Sequence, residues 1–147
     1  MAGPKPLTEV KFIAVHCSAT PGNRDIGAKE LDRMHRDRGF RCIGYHYVIR
    51  RDGTVEKGRP DNQPGAHVED WNHCSLGICL VGGVDAKLKP EPNFTPAQMD
   101  GLNQLLTKLE EDHPLAVIQG HRDFSHVNKA CPSFDVKHWL ATGTLKP

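Results

Sequence analysis

The sequence predicts a single α/β domain in which helices flank a central mixed β-sheet. Short apolar runs of strand length recur along the chain, as at residues 12–15 and 75–81, and a segment with apolar residues at helical spacing follows Thr95. The dipeptide Asp52-Gly53 tolerates the backbone angles of a tight hairpin turn and separates two strand-like segments. A hairpin combined with strands that alternate with helices indicates a mixed sheet covered by helices.

Size and composition are those of one compact globular domain. The chain has 147 residues, of which 37% are hydrophobic and 25% are charged. We expect one domain over residues 1–147, with a core at about 11–141 that is large enough to fold without disulfides. The five cysteines are odd in number and irregularly spaced, which predicts reduced thiols. Four of them are interpreted as packing residues: Cys17, Cys42, Cys74 and Cys79.

Charge and hydropathy argue against two classes of partner. The formal net charge is +1 and the basic residues are spread along the chain, so no nucleic-acid partner is expected. No apolar stretch approaches membrane-spanning length, and residues 1–11 lack the apolar run of a secretion signal. We therefore expect synthesis in the cytoplasm and no association with a membrane.

The first elements follow from local patterns. Residues 12–15 form an apolar run with β-branched members, which predicts a buried strand that ends at His16. Residues 28–38 carry apolar side chains at helical spacing and stop at a glycine, which predicts a helix. Two antiparallel strands are expected at 45–50 and 54–57, on either side of the tight turn.

The second half of the chain continues this alternation. Residues 75–81 predict a buried strand closed by two glycines, and a capping-box sequence with proline at the first helical position begins a helix at Thr95. Residues 115–118 predict a further buried strand that leads to His121. A short last helix at 136–140 is expected to close the core.

Three separate side chains have the chemistry of a metal site. His16 and His121 each follow an apolar strand, and Cys131 lies in the loop beyond the second. Imidazole and thiolate suit zinc, and three protein ligands leave the fourth tetrahedral position open for water, as in catalytic sites. Nine histidines and five cysteines offer many such triples, and a strand-end histidine is usually a surface residue, so the residue types alone leave both interpretations open.

Six longer sequence motifs say more about the family of this protein than these three residues do. They are VHCSAT (15–20), GYHYVI (44–49), RDGTV (51–55), NHCSLGICLVGG (72–83), FTPAQM (94–99) and KACPSFD (129–135). In kind and in order they resemble the T7-like phage lysozymes, which belong to the N-acetylmuramoyl-L-alanine amidase type 2 family. The resemblance extends from Phe12 to Trp139 and so covers nearly the whole chain.

The resemblance implies the peptidoglycan-recognition fold, with one Zn²⁺ per chain at the floor of a substrate groove. The implied metal ligands are His16, His121 and Cys131, and the implied catalytic residues are Tyr45 and Lys129. The implied activity is hydrolysis of the amide bond between N-acetylmuramic acid and L-alanine in bacterial peptidoglycan, in a phage or prophage endolysin. The loop at 122–128, which includes His126, looks longer than in related sequences.

The chemistry of amide hydrolysis agrees with these roles. Zinc can polarise a carbonyl and activate water near neutral pH, and the reaction then needs a donor or positive charge at the oxyanion and a proton for the leaving amine. Tyr45 can supply a phenolic donor and Lys129 a charge, although sequence does not divide these tasks between them. The alternatives are a packing role for Tyr45, on the same strand face as Tyr47, and a solvated lysine at 129.

The loop before the third predicted strand carries candidate substrate contacts. His67 and Asn72 are predicted to bind the peptide or muramyl part of the substrate, with surface hydrogen bonding as the alternative. Three further histidines are interpreted as exposed helix or turn residues: His35, His113 and His138.

Several rival functions share these features. A non-catalytic peptidoglycan-binding module would have the same fold, but such modules commonly lose the cysteine ligand that this chain retains at Cys131. The family resemblance also admits a phage RNA polymerase as an additional, inhibited partner. A third alternative is an amidase that recycles soluble muropeptides. We expect a monomer that accumulates in the host cytoplasm and reaches the cell wall after the membrane is permeabilised.

Overall fold

The structure, a computed structural model, describes Leu7 and residues 9–147. Seven strands are present over the described residues: β1 (Phe12–Cys17), β2 (Thr20–Pro21), β3 (Tyr47–Ile49), β4 (Val55–Lys57), β5 (Ser75–Leu80), β6 (Gly83–Val84) and β7 (Val117–Gly120). The helices are α1 (Ala28–Asp37), α2 (Pro96–Asp112) and α3 (Val136–Thr142). Among the described residues, no helix is both long enough and apolar enough to cross a membrane.

Five strands form a mixed central sheet in the order β4-β3-β5-β1-β7. The pairs β1–β5, β1–β7 and β3–β5 are parallel, whereas β3–β4 is the antiparallel hairpin predicted around Asp52-Gly53. A separate two-stranded sheet joins β2 to β6. Strands β1 and β5 occupy the centre, where both faces are covered, which explains their continuous apolar sequences. The predicted mixed sheet is confirmed.

Helices cover the two faces of the sheet with different side-chain clusters. On one face, Ile13 and Val15 of β1 pack in a core that includes Leu102 and Leu106 of α2. On the other face, Leu31 of α1 belongs to a cluster with residues of β3 and β5. Because side chains alternate along a strand, His16 lies on the face opposite Val15. The position of His16 in β1 therefore directs its side chain away from the α2 core.

The start of α2 is held by its own cap and by the sheet. Thr95 accepts a hydrogen bond from the backbone N–H of Gln98, and the Gln98 side chain closes the predicted capping box. Gln98 is fully buried, and its Nε2 donates to the carbonyls of Ile49 and Val81 at 3.1 and 2.8 Å. Its Oε1 accepts from Arg51 Nη1 at 3.0 Å. Gln98 thus also anchors the helix to β3 and to the chain after β5.

The prediction of a buried strand at 115–118 is wrong. Strand β7 begins at Val117 and lies at the edge of the sheet, where it pairs with β1 alone. Leu115 is 93% exposed and Val117 is 46% exposed. An edge strand is covered less than a central one, so an apolar run of strand length was not sufficient evidence of burial. The run still leads to His121 as predicted.

The prediction of reduced thiols is confirmed, and burial agrees with a packing role at three of the four positions predicted to have one. All five are free thiols, and Cys17, Cys74 and Cys79 are buried, whereas Cys42 and Cys131 are partly buried. The fold therefore depends on packing rather than on disulfide bonds.

Candidate metal centre and substrate groove

The three predicted metal ligands lie together at the carboxyl-terminal ends of β1 and β7. His16 is the fifth residue of β1 and is 1% exposed, while His121 directly follows β7. Strands β1 and β7 are parallel and pair Val15 with Gly120, so their ends meet at the same edge. One ligand atom from each of His16, His121 and Cys131 lies within 4.8 Å of the others.

The loop at 122–130 closes on itself, so its length does not displace the ligands that flank it. The backbone N–H of Arg122 donates to the carbonyl of Cys131 at 2.9 Å and ties the two ends together. Phe124 is buried within the loop, with its ring centroid 5.1 Å from that of Phe12. His126 is exposed and lies on the wall of the groove described below.

The surroundings of Cys131 favour a thiolate only when a cation is bound. The backbone N–H of Cys17 donates to Cys131 Sγ at 3.2 Å, which favours negative charge on the sulfur. A hydrogen bond with the Cys17 thiol, together with burial, nevertheless raises the pKa of Cys131 well above its ordinary value. A bound cation opposes this effect, so metal uptake must displace the proton from Cys131.

Both histidine ligands are held in the neutral form that metals bind. Burial, followed by the nearby His67 and His121 rings, lowers the pKa of His16 well below its ordinary value. Burial and then the positive charge of Lys129 lower the pKa of His121 to about 4. Two neutral imidazoles and one thiol match the donor set of a catalytic zinc site with one open position. The residues present therefore fit zinc.

These pKa values predict that the stability of the metal-free protein depends on pH. Burial also lowers the pKa of His67, to about 3, from the ordinary value of 6.5. Between about pH 6.5 and pH 4, the unfolded chain binds more protons than the folded one at His16, His67 and His121. The contribution of these histidines to the free energy of unfolding should be fully present above about pH 6.5. It should fall as pH decreases, by at most about 1.4 kcal/mol per pH unit for each histidine. Urea unfolding of the metal-free protein between about pH 7 and pH 5 measures this slope. A flat profile would contradict it.

Tyr45 lies beside the metal ligands rather than within β3. Its ring centroid is 5.1 Å from that of His16 and 5.3 Å from that of His35. Burial raises the pKa of Tyr45 well above its ordinary value, so the hydroxyl keeps its proton at neutral pH. The alternative that Tyr45 shares a face with Tyr47 is wrong. Tyr47 packs in the α2 core, whereas Tyr45 packs against the α1 cluster, because β3 begins only at Tyr47.

Lys129 is exposed and lines the same groove as the three ligands. Its positive charge reaches both histidines, because it contributes to lowering the pKa of His121 and of His16. The structure therefore places a cation near the ligands without burying it.

The predicted substrate-binding residues occupy the wall of the groove but have partners within the protein. His67 is 9% exposed, and its Nδ1 lies 2.9 Å from His16 Nε2. Asn72 Oδ1 accepts hydrogen bonds from the backbone N–H groups of His67 and Val68, at 2.9 and 3.0 Å. The Asn72 oxygen thus fixes the loop that carries His67. Substrate contact by either side chain stays a prediction.

The groove above the ligands is open and measures about 730 Å³. Its wall also contains residues that the sequence did not single out for this site: His35, Arg38, Phe40, Glu69 and Asp70. The prediction that His35 is exposed is wrong, because it is buried and its Nδ1 accepts from the backbone N–H of Gly44 at 2.8 Å. His35 lies one helical turn after the buried Leu31, and this spacing could have indicated its burial. His113 and His138 are partly exposed.

Two neutral imidazoles and a thiol at the floor of an open groove define a candidate metal centre on a mixed α/β sheet. A family model described as N-acetylmuramoyl-L-alanine amidase matches residues 6–134. The chain belongs to this amidase family.

Relatives and solved structures agree with the family. The chain is 52% identical over 137 residues to an endolysin of Enterobacteria phage K11, which covers 93% of this chain and 89% of the relative. It is 47% identical over 133 residues to the endolysin of Escherichia phage T7, covering 90% and 87%. The solved amidase LysC from Clostridium intestinale is similar with a TM-score of 0.78 and 28% identity, covering 94% of this chain and 87% of LysC. The predicted resemblance and fold class are confirmed.

Proposed function

We propose that this protein is a phage-type endolysin that hydrolyses the amide bond between N-acetylmuramic acid and L-alanine in peptidoglycan, with one zinc ion per chain. The observation that carries the proposal is the convergence of His16, His121 and Cys131 at the floor of the groove. Family membership and the similarity to phage endolysins support the same activity.

Zinc, when bound, supplies a Lewis acid that polarises the scissile carbonyl and activates water near neutral pH. The neutral imidazoles of His16 and His121 and the sulfur of Cys131 would hold it. The open groove leaves room on the remaining side for the substrate and for the attacking water.

Tyr45 and Lys129 contribute separate groups to the reaction. The protonated phenol of Tyr45 can donate a hydrogen bond, and its ring is already positioned against His16. Lys129 can place positive charge where negative charge develops on the carbonyl oxygen, because its field reaches His121 and His16. The leaving amine needs a proton, which either group can help to deliver.

The alternative functions differ in what they require of this site. A non-catalytic peptidoglycan-binding module needs the groove but has no use for a complete ligand set, which this chain retains. Recycling of soluble muropeptides would use the same centre on smaller substrates. An RNA polymerase partner, a monomeric state, synthesis in the host cytoplasm and a single amidase domain over residues 1–147 stay predictions.

Digestion of purified peptidoglycan tests the proposed reaction. Hydrolysis of the muramyl amide should release new L-alanine amino termini and leave intact glycan strands, which amino-group labelling and mass analysis of the products detect. A glycosidase would instead produce new reducing sugar ends. A protein that sediments with the wall but creates no amino termini is a binding module, and this result would overturn the proposal. Comparison of intact wall with soluble muropeptides separates endolysin from recycling amidase.

A further inference from the structure

The ring of His16 is held by a chain of hydrogen bonds that runs away from the groove into the protein. His16 Nε2 lies 2.9 Å from His67 Nδ1, and His67 Nε2 lies 3.3 Å from Ser75 Oγ. The Ser75 hydroxyl donates to the backbone carbonyl of Trp71 at 2.7 Å. His16, His67 and Ser75 are all buried. His67 reaches the wall of the groove, and the hydrogen bonds continue from it to the buried Ser75, which does not line the groove.

The last link determines the direction of the others. A backbone carbonyl only accepts hydrogen bonds, so the single hydroxyl proton of Ser75 is committed to Trp71. Ser75 Oγ must then accept from His67 Nε2–H, which leaves His67 Nδ1 without a proton. His67 Nδ1 can accept only from His16 Nε2–H. The chain thus specifies the tautomer of His16 that carries its proton on Nε2.

This tautomer leaves a lone pair on the nitrogen that faces the metal centre. His16 Nδ1 is the nitrogen directed towards Cys131, with Nδ1 and Sγ 3.9 Å apart. A histidine binds a metal through a deprotonated nitrogen, and the hydrogen bond of the other nitrogen sets both tautomer and ring orientation. The hydrogen bonds that run from Trp71 to His16 therefore leave unprotonated the His16 nitrogen that a metal would bind.

Contacts on its other sides also hold the His67 ring in this orientation. Asn72 Oδ1 accepts a hydrogen bond from the backbone N–H of His67. The His67 ring also lies so close to Gly77 that a Cβ at position 77 would come 2.7 Å from His67 Cγ. The ring of His46 packs beside it, with the centroids 5.7 Å apart. The Asn72 hydrogen bond and the close approach to Gly77 keep Nδ1 directed at His16.

We propose that His67 is a positioning residue that fixes His16 as an Nδ1 metal ligand, with Ser75 as the next link. This inference rests on the proposed zinc-dependent function, and it assigns to the buried His67 ring a role other than substrate contact. Loss of such a partner typically lowers metal affinity about 10- to 100-fold.

The test compares purified His67→Leu, His67→Asn and His46→Leu with the unsubstituted protein. Leucine removes the acceptor, whereas the asparagine oxygen can take the place of Nδ1. His46 is a matched control, since it is buried and bonded through both nitrogens, to Gln63 and Gly77, but contacts no predicted ligand. Chelator competition gives the zinc Kd of each folded protein, and ¹⁵N NMR of the metal-free proteins reports which His16 nitrogen carries the proton.

We expect His67→Leu to raise the zinc Kd about 10- to 100-fold and to lose the Nε2–H tautomer of His16. His67→Asn should recover much of both properties, and His46→Leu should match the unsubstituted protein in both. An unchanged Kd and tautomer in folded His67→Leu would overturn the inference, as would an equal loss in His46→Leu.

Two further measurements distinguish a failure of this inference from misfolding of a variant and from a failure of the proposed function. If His67→Leu does not fold, Ser75→Ala makes a smaller change and should still weaken the Nε2–H preference of His16, and an unchanged preference there would overturn the inference. Zinc-independent hydrolysis by the unsubstituted protein would refute the proposed metal dependence, whereas the tautomer measured without metal tests the hydrogen-bond chain directly.

Discussion

Replacing Cys131 by serine should abolish amide hydrolysis and weaken zinc binding strongly while leaving most of the fold intact. A serine hydroxyl is a much poorer zinc ligand than a thiolate, and the reaction depends on the metal to activate water. The cores on both faces of the sheet form without Cys131, which packs only at the edge of one of them. Zinc content, thermal melting of the metal-free proteins and release of L-alanine amino termini measure the three parts of this prediction.

Cys42→Ser is the matched control, because Cys42 is a partly buried thiol outside the groove. It should retain zinc and activity. Treatment of the unsubstituted protein with a chelator should remove its activity and added zinc should restore it, whereas zinc should not restore Cys131→Ser. Full hydrolysis by protein shown to contain no metal would contradict the metal requirement.

The metal centre depends on the topology of the sheet rather than on proximity in the sequence. His16 and His121 are distant in the chain, but β1 and β7 are parallel neighbours that end at the same edge. The hydrogen bond between Arg122 and Cys131 returns the chain to this edge after the loop. Strand order thus supplies two ligands and loop closure supplies the third.

Local patterns predicted the elements whose causes are themselves local. The capping box at Thr95 and the hairpin at Asp52-Gly53 involve residues close in sequence, and both occur as predicted. Burial at Leu115 and His35 was predicted wrongly because it depends on neighbours that are distant in sequence. Leu115 lies in the turn that precedes the edge strand β7 and is left exposed there, and His35 is buried where α1 packs against the chain at Gly44 and Tyr45.

The candidate site shows the same division. The residue types of His16, His121 and Cys131 suggested zinc, but only the family resemblance selected them among the other histidines and cysteines. The role that we propose for His67 depends on which ring nitrogen faces His16 and which faces Ser75. The direction of the His67 ring is set by its packing over Gly77, and the spacing of residues in the sequence does not predict it.

Tyr45→Phe and Lys129→Ala should each retain zinc and bind cell wall but lose turnover, by about a hundredfold or more. Neither residue belongs to the predicted ligand set, so the metal should remain. Phenylalanine keeps the ring that packs against His16 and removes only the hydroxyl that can donate a hydrogen bond. Alanine at 129 removes an exposed charge whose field reaches His121. Zinc content, thermal melting and kcat for amide hydrolysis should be measured on the same preparations.

Two matched variants distinguish this chemistry from a general loss of stability. Tyr47→Phe removes the phenol that donates to Asp61 on the α2 side of the sheet, and Lys108→Ala removes an exposed lysine on α2. We expect Tyr47→Phe to melt at a lower temperature and Lys108→Ala to melt normally, with kcat unchanged in both. If Tyr45 only packs and Lys129 is only solvated, their variants will hydrolyse the amide as fast as these controls. Such a result would remove both residues from the catalytic assignment and leave His16, His121 and Cys131 as the proposed metal ligands.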